Sequence, residues 1–231
     1  MEDMQHQVMG YDRAATMFAP DGHILQVEYA EKTIRLGSAS IGLVCKDGVV
    51  IVSDRRQKDK LVVEESTNKL HEIDEHIMAV AAGIISDSRV LIDKARTMAQ
   101  QHRVTYGSEP ATESIVRGIA DVKQQFTQYG GARPFGVSLM IGGYNNKPVL
   151  YATEVTGNYL KYHAFAIGEN DELIKQKLRE GYKEGMTIQA GIEFALTIFE
   201  EIQEKEFDKT RFDIGILDSK KKLIKKTGKD F

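Results

Sequence analysis

The sequence predicts an α+β protein, a four-layer α/β/β/α sandwich of two antiparallel sheets flanked by helix pairs. Three observations carry that reading. Strand-forming runs follow one another across short polar turns, which builds sheets from hairpins. The helical segments come in pairs rather than singly between strands, which speaks against parallel crossovers. The 231 residues, 42% of them apolar, supply enough chain to cover both faces of two sheets.

Residues 1–10 are polar and Met-rich without periodicity, as in a tail. Pro20-Asp21-Gly22 is turn chemistry. The stretch Ile24 to Leu36 has helical spacing and carries two apolar stripes: Ile24, Val27, Ala30 and Ile34 form one, Leu25, Tyr29 and Leu36 the other. A helix resting on its own domain needs one stripe. The second suits either a neighbouring subunit or a groove of the same domain, and the pattern leaves both open. Ser40 to Cys45 and Val49 to Ser53 flank the hairpin turn Lys46-Asp47-Gly48, and Lys69 to Ile73 and His76 to Ala82 flank Asp74-Glu75. Ser86-Asp87-Ser88 offers an N-cap for a helix to about His102. Pro110 suits the first turn of the next helix, which shows Ile115, Ile119, Val122 and Phe126 on one face and ends at Gly130-Gly131. Strands resume at Gly136 to Tyr144 and Val149 to Thr153, joined through Asn145-Asn146, and continue over Tyr159 to Ile167. Two more helices start near Asn170 or Asp171 and at Thr187, and Phe212 to Leu217 and Lys222 to Lys226 form a closing hairpin.

A net charge of −3 gives no electrostatic reason to expect nucleic acid or a membrane surface as partner. The longest apolar run, Ile77 to Ile85, is too short to span a bilayer and reads as a core strand. The start of the chain, with Glu2 and Asp3, has neither a basic region nor an apolar run of the secretory kind, so a cytoplasmic location is expected. A single cysteine, Cys45, cannot form a disulfide within the chain and reads as a small buried residue of a strand.

His71 and His76 fit no metalloprotease spacing and straddle a turn, and the chain has no phosphate-binding glycine loop, so neither metal nor cofactor is expected. Six lysines in the last twelve residues read as a solvated edge that blocks strand pairing; no aromatic residues lie among them to stack on RNA bases. Two stretches point to interaction sites. Tyr11-Asp12-Arg13, with Pro20 and Tyr29 downstream, sits in a segment too short for its own core, and Tyr129-Gly130-Gly131-Ala132-Arg133-Pro134-Phe135 is a glycine-rich loop after a helix.

These two stretches, together with Phe18-Ala19-Pro20-Asp21-Gly22, Gln26-Val27-Glu28-Tyr29-Ala30 and Gly136, resemble the α-subunit family of the 20S proteasome, most of all its archaeal members. The resemblance covers essentially the whole chain and implies the same sandwich. It also implies a non-catalytic subunit that forms a homo-heptameric ring on proteasome β-subunits and passes unfolded protein substrates under the control of an activating ATPase. Residues 1–37 would then hold the gate tail and ring-contact helix, and residues 38–231 the sandwich. Tyr11, Asp12, Pro20 and Tyr29 match the cluster that holds such a gate, Tyr129, Gly130, Gly131 and Ala132 match the pore constriction, and Lys69 matches the pocket lysine that accepts the ATPase's C-terminal carboxylate.

The related β-subunits suggest the competing reading. Aligned on Gly42, their nucleophile falls on Ser38 after Gly37, and Asp54 and Lys69 fall on their supporting groups. That would make the chain a self-processing hydrolase cut at Gly37. The chemistry needs a free amine on the nucleophile residue, and residues 1–37 carry the signature of the non-catalytic branch. The gate and scaffold reading is therefore the one expected.

Overall fold

The computed structural model describes residue 10, residues 13–56 and residues 61–231. After helix α1 (Leu25–Ile34) come the hairpins β1 (Ser40–Val44) with β2 (Gly48–Asp54) and β3 (His71–Asp74) with β4 (Ile77–Gly83). Helices α2 (Ile85–Tyr106) and α3 (Thr112–Gln128) precede strands β5 (Val137–Tyr144), β6 (Pro148–Thr153), β7 (Tyr159–Tyr162) and β8 (Ala164–Ile167). Helices α4 (Asp171–Gly181) and α5 (Ile188–Gln203) and the hairpin β9 (Phe212–Asp218) with β10 (Ile224–Thr227) complete the order. The strands form two five-stranded antiparallel sheets, ordered β10-β9-β2-β1-β8 and β3-β4-β5-β6-β7.

Three apolar layers make this a four-layer sandwich. Val49, Ile51, Met78, Val80, Met140 and Leu150 pack between the sheets. The alternate residues Val50 and Val52 face outward and meet Ile192, Ala195 and Phe199 of α5. On the second sheet, Ile77, Ala79, Leu139 and Ile141 meet Leu91, Ile92, Ile115 and Ile119 of α2 and α3. A period-2 strand with apolar residues at every position has no face left for water, so each sheet needs a cover on both sides. Burying a large apolar side chain fully stabilises by about 1.5–3 kcal/mol, and 0% exposure recurs along β2 from Val49 to Val52.

Several elements differ from the sequence reading, each for a local reason. The run Tyr159 to Ile167 is two strands in different sheets: β7 pairs with β6 and β8 with β1. The switch falls at His163, whose carbonyl accepts from Val44 N (2.8 Å). Helix α2 begins at Ile85 with no side-chain cap, and Asp87 and Ser88 lie buried inside its first turn. Pro110 stays outside α3, whose N-terminus is capped across space. Asn145 Oδ1 in the β5–β6 turn accepts from Thr112 N (3.0 Å) and from Thr112 Oγ1 (2.8 Å). The buried face of α3 is rotated towards Val116, Ala120 and Lys123, leaving Val122 and Phe126 partly covered. Thr187 does cap α5, its side chain accepting from Ala190 N.

Helix α1 lies against β4 and β5. Its buried residues, Leu25 and Val27, come one from each stripe, while Leu36 falls beyond the helix end and is 86% exposed. Where α1 leads into β1 the backbone is crowded: a Cβ on Gly37 would lie 2.6 Å from Gly83 N. Gly83 itself has φ +120°, and a Cβ there would fall on the Gly136 carbonyl oxygen and 3.0 Å from Val137 Cα. Gly83→Ala is therefore expected to destabilise by roughly 2 kcal/mol or more through strain and overpacking. A urea midpoint equal to wild type would refute the requirement for glycine.

Candidate functional site

The crowded corner places Ser38 between the sheets' ends. Its hydroxyl donates to Asp54 O (2.8 Å), and the Gly37 carbonyl ahead of it accepts from Glu169 N (2.8 Å). Lys69 Nζ reaches the same corner and donates to Ser38 O (2.6 Å), Ser38 Oγ (2.9 Å) and Ser40 Oγ (3.4 Å). Burial away from water pulls the Lys69 amine down to about 8, although Asp54 and Asp213 favour its charge. The structure thus unites Ser38 and Lys69, as the hydrolase alignment would need.

Asp54 bonds Ser38 only through its main chain. Its buried carboxylate accepts from Gln203 Nε2 (2.8 Å), Arg211 NH2 (2.8 Å) and Arg56 N (3.0 Å). Asp213 is held by Arg55 (3.3 Å) and by Lys69 N (3.4 Å), and burial pushes its carboxyl above the usual range. The nitrogen of Ser38 is a peptide nitrogen joined to Gly37. Its lone pair is delocalised into the carbonyl, so it cannot serve as base for the hydroxyl.

Beside this corner opens a cleft of about 590 Å³, lined by Leu36, Ser38, Arg56, Lys69, Ile85 and Arg89 among others. Its wall is rich in basic side chains, with Arg55 and Arg96 also on it; Arg55 is paired to Asp213 (3.3 Å), Arg56 to Glu169 and Arg96 to Asp93 (3.2 Å). Its mouth is apolar: Ile85 is 84% exposed and Leu36, as noted, nearly fully so. A basic wall below an apolar rim suits an extended peptide with a carboxylate at its end.

The glycine-rich loop lies between α3 and β5. Tyr129 is 71% exposed, Ala132 N donates back to Tyr129 O (3.3 Å), and Gly131 has φ +84°, a turn conformation that favours glycine. The exit of the loop is clasped. Arg133 gives a bidentate pair to Asp87 (2.6 and 2.7 Å), and Gly136 N donates to Asp87 Oδ2 (2.9 Å). The bonds from Arg133 hold the Asp87 carboxyl below its ordinary value. Asp87 belongs to the stretch Ser86-Asp87-Ser88 expected to offer a helix cap; a buried acid within a first turn gives no sequence sign that its partner lies on a distant loop.

Of the N-terminal residues, Pro20 sits in an exposed turn where Ala19 N bonds His23 O (2.7 Å) and Gly22 N bonds Ala19 O (2.8 Å). Tyr29 is half-buried on α1 with Lys32 over its ring. Tyr11 and Asp12 lie outside the described residues. His71 and His76 do not meet. His76 is buried and bonds Pro110 O (2.9 Å), and among the described residues no cluster suits a metal. Cys45 is buried, and burial pushes its thiol up to about 12, as expected for an inert core thiol. No helix among the described residues is long and apolar enough to cross a membrane.

Residues 34–217 match the proteasome subunit family, and residues 11–32 match the N-terminal signature of its A-type subunits. The chain is 41% identical to a proteasome subunit alpha of Thermococcus sibiricus over 94% of its own length and 83% of that protein. It is 42% identical to the corresponding subunit of Methanocaldococcus jannaschii over the same shares. It is also 40% identical to proteasome subunit alpha 2 of Haloarcula marismortui, over 97% of this chain and 93% of the relative.

The Asp87 clasp sets a pH dependence. A carboxyl whose folded value is depressed adds stability above its unfolded value and loses it as pH falls through the folded one. Asp87→Asn is expected to cost about 1–2 kcal/mol at pH 7, discounted because the Arg133 side chain is largely exposed. The difference should shrink below pH 4, near and beneath the ordinary value of 3.8. Urea melts of both proteins at pH 7 and pH 3 check this, and a gap undiminished at pH 3 would refute the ionic clasp.

Proposed function

The chain belongs to the proteasome subunit family as an A-type subunit, the non-catalytic kind, and from that premise we propose that seven copies close into an outer ring that gates entry to a proteolytic chamber of β-subunits. The basic cleft with its apolar rim is the observation that supports a docking role. In this reading the cleft receives the C-terminal segment of an activating ATPase, and Lys69 meets its carboxylate. In the free chain the Lys69 amine is held by neutral oxygens of Ser38 and Ser40. An incoming carboxylate replaces them with an anionic acceptor, a stronger charge-assisted bond. Exposed Leu36, Ile85 and the apolar run Leu61-Val62-Val63 supply surface for a neighbouring subunit.

The loop Tyr129 to Ala132 would face the axis as the constriction, its tyrosine projecting and its glycines adding no bulk. Residues 1–10 would form the gate, with Tyr11, Asp12, Pro20 and Tyr29 holding its open state. Unfolded protein in transit would pass both. The location expected for such a particle is the cytoplasm.

Two measurements test the reading. Lys69→Ala should leave heptamers intact by native mass spectrometry yet abolish ATPase-stimulated cleavage of a fluorogenic peptide by the assembled particle. Undiminished stimulation would remove Lys69 from the docking role. Deleting residues 1–10 should raise basal peptide cleavage without ATPase; a rate equal to wild type would mean that the tail is not the gate.

A further inference from the structure

Lys123 is a fully buried lysine in the last third of α3. Its amine donates to Val137 O (2.8 Å), Thr153 Oγ1 (3.1 Å) and Thr153 O (3.4 Å). One side chain therefore ties together α3, the first residue of β5 and the last residue of β6. Val137 is also where the Tyr129–Gly136 loop ends, so the loop is fixed at its exit by Lys123 as well as by the Asp87 clasp. Thr153 extends the knot: its carbonyl accepts from Ser138 Oγ (2.8 Å) and its hydroxyl from Leu139 N (3.3 Å).

The knot contains no counter-charge. All three acceptors are neutral, and burying an ammonium among neutral groups is costly unless it loses its proton or regains water. Burial pulls this amine down to about 7, with Glu154 as the carboxylate that opposes the fall. Glu154 ends the strand run and is exposed. Glu154 also stands on a small cleft lined by Glu31 of α1, by Arg35 just after it, and by Asp171, Glu172 and Lys175 of α4. The turn after Glu154 packs directly on α3: a Cβ on Gly157 would lie 2.5 Å from Ala120 O and 2.7 Å from Gln124 N.

We propose that Lys123 is a proton-controlled anchor of the Tyr129–Gly136 loop, whose protonation favours an opened form in which the amine regains water and the loop's exit is released. Nothing covalent changes; one proton is taken up from water on opening. Linkage fixes the sign. The amine in the opened form has its ordinary value of 10.5, so above the closed-form value each rise in pH stabilises the closed form, and acid favours release. If this loop narrows the pore, as proposed above, acidification loosens the constriction; the anchor itself does not depend on that reading.

Hydrogen exchange of the full chain in its native assembly, corrected for intrinsic rates, tests the anchor. Protection of the segment 135–139 in wild type should rise up to about tenfold per pH unit above neutrality and level off below it. In Lys123→Met the same segment should show no such rise. Lys123→Gln, uncharged at every pH with two donors left for the carbonyls, serves as a second variant should the Met protein not fold. Identical pH profiles in wild type and the folded variant would overturn the proposal. A wild-type rise that the variant lacks, with peptide passage unchanged across the same pH range, would uphold the anchor and overturn the pore reading instead.

Discussion

Two sheets that are apolar on both faces dictate everything else in this structure. Val49 and Ile51 face the opposing sheet while Val50 and Val52 face a helix layer, and none of the four has contact with water. Such strands cannot sit at a surface, so the helix pairs must lie outside and the connections must gather at the ends of the sandwich. The ends are therefore where polar chemistry collects. One end carries Ser38, Lys69 and the arginine-lined cleft, and the clasped loop hangs from the start of β5 nearby.

The same framework accounts for a hydrolase-like corner without hydrolysis. The sheets bring a serine and a lysine to within 2.9 Å, yet the arrangement stabilises a continuous backbone. Lys69 bonds the Ser38 carbonyl, Glu169 N bonds the Gly37 carbonyl, and the acid that would support catalysis is engaged by Arg211 and Gln203. Lys69 thus holds the Gly37–Ser38 link in place, while the Asp54 carboxylate is turned to other partners. The geometry of a reacting site and that of a structural corner differ here by one covalent bond and the amine it would free.

Most of the architecture was legible from residue patterns, because hairpins and helix pairs leave local marks: turn residues at Lys46-Asp47-Gly48, a threonine cap at Thr187, glycines after α3. What escaped was decided at a distance. No residue in Tyr159 to Ile167 breaks the strand pattern, since the change of sheet at His163 follows from which neighbours offer free edges. The cap of α3 comes from Asn145, and Asp87 serves a loop far along the chain, so propensity rules that look only at adjacent residues misassign both. Lys123 was invisible for a simpler reason, as a lysine on a helix is expected to face water. The residues assigned by resemblance form a separate case. The roles proposed for them involve other chains, and a single chain's periodicities carry no mark of those.

The order of pairing in the first sheet also bears on how the chain is made. Its two hairpins, β1–β2 and β9–β10, are local, but β1 must find β8 and β2 must find β9, pairing Ser40 with Ile167 and Gly48 with Asp218. On a ribosome, which releases the chain from its first residue onward, β2 emerges long before its permanent neighbour exists. Until Phe212–Asp218 follows, a strand with two apolar faces waits with one edge open. Long-range pairings of this kind are slow to form and prone to wrong partners in the interval. For as long as its last strands are missing, the chain thus presents the open edge of an apolar strand.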